Sequence, residues 1–143
     1  MMKKVILCMI AAISALCILC ACGESVIKNL PENAPNIVTT EYTNPDNADD
    51  GYAGVIEYGG RTYVFYGTQS GMIRESMIKE CIGYTDGDTN SRVYTLNDTD
   101  DYIATYYVNG EMEQFHFLRA LDTVGEDIAT PEYIDSLDYE LWK

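Results

Sequence analysis

Asn109-Gly110 lies between Tyr102–Val108 and Glu111–Leu118, two runs in which apolar and polar residues alternate. Gly59-Gly60 sits in the same way between Tyr52–Tyr58 and Arg61–Tyr66. Such dipeptides tolerate the positive φ of tight hairpin turns, and a period of two places every second side chain on one face. Pairing outward from Gly59-Gly60 sets Tyr58 against Arg61 and Ile56 against Tyr63. Pairing outward from Asn109-Gly110 sets Tyr107 against Met112, Thr105 against Gln114 and Ile103 against His116. Two more strands, Cys81–Thr85 and Arg92–Leu96, are expected between the hairpins, joined by the polar stretch Asp86–Ser91.

Helical signals are weaker. Arg74–Glu80 has the texture of a short turn. Thr130 is an N-cap candidate, Pro131 fits the first helical position, and Ile134, Leu137 and Leu141 recur at helical spacing. The expected class is mainly β (α+β): a small antiparallel barrel or curled sheet of about six strands with a C-terminal helix.

The N-terminus reads as an address. Lys3-Lys4 precede an apolar run from Val5 to Cys22, the layout of an export signal. Leu19-Cys20-Ala21-Cys22 resembles a bacterial lipobox. That resemblance implies a signal peptide over 1–21 and a diacylglyceryl group on the Cys22 thiol. Two acyl chains anchor stably, which puts the protein on the extracytoplasmic face of a cell membrane. Cys8, Cys17 and Cys20 leave with the signal, so Cys81 is the one thiol left unlipidated and no intramolecular disulfide is expected.

Residues 22–50 carry three prolines, several Asn and six acids, and are expected to form an acidic flexible tether. Ile37–Tyr42 within them would pair at most weakly, as an edge strand, and the tether is the expectation. Residues 51–143 are expected to form a single β-rich domain, a monomer. Ile56-Glu57-Tyr58-Gly59-Gly60-Arg61-Thr62-Tyr63-Val64-Phe65-Tyr66-Gly67-Thr68, Ile82-Gly83-Tyr84, Arg92-Val93-Tyr94 and Arg119-Ala120-Leu121-Asp122-Thr123 resemble small exported lipoproteins of Gram-positive gut anaerobes. The resemblance covers about 52–143 and implies compartment and single-domain layout, with no functional residue.

After Lys3 and Lys4, seven Lys/Arg remain against twenty-three Asp/Glu. Such a chain lacks the basic face that nucleic acid requires. Its field favours a cationic protein or peptide as partner.

Candidate site residues are few. His116 is the only histidine, and on a strand of mixed polarity it reads as a packing residue. Cys81 reads as a small buried hydrophobe, since acidic surroundings oppose thiolate formation. Asp86, Asp88 and Asn90 have the first oxygens of a calcium loop, and a second acidic loop, Asn97–Asp101, would complete a weak site if the two met. The plainer reading is that these residues make turns. Tyr58, Tyr63, Tyr102 and Tyr106 lie on aromatic hairpin faces that would bind a ligand if exposed and fill a core if not. No catalytic motif is present, so no catalytic residue is assigned. The expected function is a membrane-anchored extracytoplasmic binding module; the alternative is an inhibitor or immunity-type lipoprotein acting on a cationic exported protein or peptide.

Overall fold

The computed structural model describes residues 25–27, 29–111, 114–136 and 139–140. The signal peptide, Cys22, Met112, Leu137 and Leu141 lie outside them. Among the described residues nine strands form one sheet: β1 (Asn36–Ile37), β2 (Thr40–Asn44), β3 (Asn47–Tyr58), β4 (Arg61–Ser70), β5 (Ile78–Thr85), β6 (Asp88–Leu96), β7 (Tyr102–Tyr107), β8 (Gln114–Ala120) and β9 (Tyr139–Glu140). Their order is β1-β5-β6-β7-β8-β4-β3-β2, with β9 added beside β4. The sheet is mixed, because β1 runs parallel to β5, and it is not a closed barrel. The β-rich class is as expected; the strand number, the barrel and the all-antiparallel pairing are not. No helix among the described residues is long and apolar enough to cross a membrane.

Positions 59 and 60 both have positive φ, and Ile56↔Tyr63 and Tyr58↔Arg61 pair in the register expected from that turn. The second hairpin differs. Thr105 pairs with His116 and Ile103 with Leu118, a slip of two residues from tight pairing about Asn109-Gly110. The strands stop at Tyr107 and resume at Gln114, so the connection is a longer loop. Val108 is drawn aside, its N–H donating to the Asn90 carbonyl at 2.8 Å. A two-residue slip leaves every side chain on its expected face. Asp86 and Gly87, expected within a polar loop, are instead a tight turn with both φ positive, and β6 begins at Asp88.

The largest correction concerns the tether. Residues 36–50 contribute β1, β2 and the start of β3. Ile27 is buried in the core, and its carbonyl accepts hydrogen bonds from Arg92 Nη1 at 3.0 Å and Tyr94 Oη at 2.8 Å. Composition misleads here because the three prolines fall between strands: Pro31 and Pro35 before β1, Pro45 in the β2–β3 turn. The segment also meets a demand that composition does not show. The edges of β5 and β3 carry backbone groups that need partners, and β1 and β2 supply them. At Gly83 a Cβ would lie 2.6 Å from the Pro35 carbonyl oxygen, so only glycine lets β1 come this close.

The sheet has two packed faces. One buries Tyr94, Tyr102, Phe115 and Phe117 beneath Ile27, Ile73, Met77 and Ile134 from outside the sheet. The other gathers Ile56, Tyr63, Val93, Ile103 and Leu118 against Ile37. The expected C-terminal helix is four residues, α1 (Glu132–Asp135), with Pro131 rather than Thr130 at the N-cap. The Thr130 hydroxyl is held instead within 3.2 Å of Tyr102 Oη. The expected turn near Arg74–Glu80 is a 3-10 turn at Glu75–Met77 leading straight into β5.

Candidate functional site

On the second face, Ala53, Gly54 and Ile56 of β3 share one cavity of about 260 Å³ with Thr85 of β5 and Ser91 of β6. In a flat sheet β3 and β5 would stand about 24 Å apart, five strand spacings. The sheet must therefore curl tightly about this cavity. Its two edge strands belong to one stretch of chain, β1 and β2 being joined by Val38 and Thr39 alone. Thr39 lines the cavity. It is held by Asp86, whose carboxylate accepts from the Thr39 N–H at 2.9 Å and from its hydroxyl at 2.7 Å. Gly54, at φ +68°, forms a bulge where β2 passes from pairing Ala53 to pairing Val55. That φ favours glycine.

His116 and Thr105, cross-strand partners on β8 and β7, complete the wall with Phe65 and Leu118. His116 Nδ1 is 2.7 Å from Thr68 Oγ1, and its ring lies 5.5 Å from that of Phe65. Nε2 has no hydrogen-bond partner among the described residues. Burial disfavours the imidazolium and holds the ring below its ordinary pKa, so His116 is neutral at pH 7. Thr85 and Ser91 hydroxyls pair with each other at 2.6 Å. None of the ten residues lining the cavity carries a formal charge at neutral pH, in a chain of net charge −14.

The remaining expected site residues are dispersed. Tyr63 and Tyr102 are buried, at 4% and 0% exposure, on opposite faces of the sheet. Tyr58 packs beside the first and Tyr106 beside the second. These four tyrosines form no common binding surface. Two of the hydroxyls are engaged within the fold: Tyr63 donates to the Asp100 carbonyl at 2.9 Å, and Tyr102 Oη lies 3.2 Å from Thr130 Oγ1. The calcium arrangement also fails geometrically. The Asp86 turn and the Asn97–Asp101 loop flank opposite ends of β6, whose nine residues span about 27 Å. Asp88 accepts from the Asn90 N–H at 2.9 Å, an Asx turn rather than a ligand set. Among the described residues no group of three or more His, Cys, Asp or Glu is placed to hold a metal ion.

Cys81 is buried, its thiol pushed up in pKa chiefly by that burial. It belongs to the first face, so the sheet separates it from His116 and the two form no dyad. At the far rim, Asp101 and Asp122 are bound by Arg61 at 3.0 and 2.7 Å, which offsets part of the acidic field there.

The site that geometry assembles was legible only in fragments. His116 was visible as a lone histidine, but its neighbours come from six strands and the β1–β2 link. The Asp86-Gly87 dipeptide was a hairpin signal in plain view, and reading it so would have placed Ser91 on a strand.

Two groups link this region to acid. The Asp86 carboxyl is lowered in pKa by its bonds from Thr39, and His116 is lowered by burial. In both cases the unfolded chain binds protons more readily, so stability is present above the unfolded pKa and is lost as pH falls. The expected result is a melting midpoint that declines first below about pH 6.5 through His116, then again below about pH 4 through Asp86. Asp86→Asn removes the second decline relative to the parent, as followed by thermal melts across pH. Compared with protein-family models, with curated proteins and with solved structures, the chain matches none.

Proposed function

We propose that the protein is a lipid-anchored extracytoplasmic binding module that takes up a small uncharged organic molecule in the cavity of its curled sheet. The observation that carries this reading is the absence of charged side chains from the cavity wall, together with a neutral His116 whose Nε2 is unpartnered among the described residues. Phe65, Ile56 and Leu118 supply apolar contact; His116 and Thr105 supply hydrogen bonding. This division between apolar bulk and few polar groups is typical of ligand pockets, and the volume is just below their usual range of roughly 300–1,000 Å³. A charged ligand would leave its charge unpaired against this wall, at a cost of several kcal/mol.

The test is a ligand-observed NMR screen with neutral hydroxylated and heteroaromatic fragments. Fragments that bind the parent chain should bind His116→Phe at least about tenfold more weakly, the worth of one well-made hydrogen bond of about 1.4 kcal/mol. Binding unaffected by His116→Phe would place the ligand elsewhere and end this reading.

A further inference from the structure

The end of the sheet that carries the β7–β8 loop also carries the start of the described chain. Ser25 and Ile27, Met72 to Glu75, Tyr106, and Val108 to Gly110 line a groove of about 560 Å³ there. Five large hydrophobic residues are exposed among the described residues, and three lie at this end: Val26 at 42%, Met72 at 59% and Tyr107 at 46%. Val26 sits between two groove residues, Met72 lines the groove, and Tyr107 is flanked by two more.

Ser25 follows Cys22 by three residues, and three residues of chain reach at most about 11 Å. Ile27 is fixed to the sheet by Arg92 and Tyr94. A diacylglyceryl group on Cys22 therefore allows the domain no long leash. It holds the groove end within about 11 Å of the bilayer surface. The opposite end of the sheet, where the Ala120 N–H donates to the Asp101 carbonyl and Val124 lies four residues beyond, is about 27 Å away along β6.

We infer that this end of the sheet rests on the lipid bilayer, with Val26 and Met72 entering the interface between headgroups and acyl chains. Tyr107 suits the same depth, with an apolar ring and a polar tip. Arg74 and Glu75, at the groove wall, face the headgroups. Exposed apolar residues at a surface this close to lipid gain by leaving water, in proportion to the apolar area removed from it. The inference rests on the anchored reading of Cys22. It replaces a domain on a flexible tether by one seated on the membrane in a fixed orientation.

The test uses the lipidated full chain reconstituted into phosphatidylcholine vesicles. Met72→Cys and, separately, Val124→Cys are labelled with an environment-sensitive nitrobenzoxadiazole dye. Cys81 is buried, and an otherwise unsubstituted chain controls for its labelling. The label at 72 should shift to the blue, brighten severalfold and be quenched by spin-labelled lipid; the label at 124 should do none of these. If the protein floats with the vesicles while both labels report water, the seating is wrong and the anchor stands. If the protein does not float with the vesicles, the anchored reading fails and takes this inference with it.

Discussion

Removing residues 1–50 should abolish cooperative unfolding, whereas a chain beginning at Ser25 should retain it. The truncation strips β1 from β5 and β2 from β3, leaving two sheet edges with unpaired backbone groups. It also withdraws Ile27 from the first core face and Ile37 from the second. Loss of one buried isoleucine alone costs about 2–5 kcal/mol, and small domains hold only about 5–15 kcal/mol in total. Arg92 and Tyr94 would further lose the Ile27 carbonyl that both now bind. Thermal melts by circular dichroism decide the matter. A chain from Gly51 that melts cooperatively within a few degrees of the longer one would show that residues 25–50 are dispensable. Ile27→Ala is the milder probe, expected to lower the midpoint by about 10 °C or more, at roughly 4 °C per kcal/mol.

Arg119→Ala should be among the most damaging single substitutions, by about 3 kcal/mol. Arg119 is 3% exposed, and no carboxylate lies within salt-bridge distance of it among the described residues. Its guanidinium donates to Thr123 Oγ1 at 3.0 Å, to the Thr123 carbonyl, and to the Glu126 carbonyl at 2.9 Å. It also lies 5.9 Å from the Tyr102 ring centroid. The side chain thereby pins the turn after β8 to the first core face. Truncation leaves the carbonyls orphaned and opens a void against Tyr102. Arg119→Lys should recover little, since an ammonium cannot reproduce the planar fork. Chemical denaturation measures both variants. A loss below about 1 kcal/mol for Arg119→Ala would mean that water replaces the guanidinium at no great cost.

The elements readable from the sequence share one property: their information is local. Gly59-Gly60 set both the turn and the register of β3 on β4, because a primed turn is decided by the φ of its own two residues. The faces of β7 and β8 were also legible, since alternation survives a slip of two. The slip itself was not. It depends on Val108 reaching Asn90 on β6, a residue 18 positions away. Ile134, read from its spacing as part of an apolar stripe, is buried, but the helix that carries it ends at Asp135.

Sequence by itself determined that this chain is β-rich, that one hairpin turns at Gly59-Gly60, and that its acids far outnumber its bases. Those are consequences of φ preferences, a period of two and composition, each contained in a short window. Tertiary structure alone decided that residues 36–44 join the two edges of the sheet, that Tyr63 and Tyr102 face opposite ways into core, and that His116 meets Thr39, Ala53 and Ser91 around one cavity. The reason is physical. A proline- and asparagine-rich segment is ordered or not according to whether an unpaired strand edge and an open core face await it, and neither is a property of the segment.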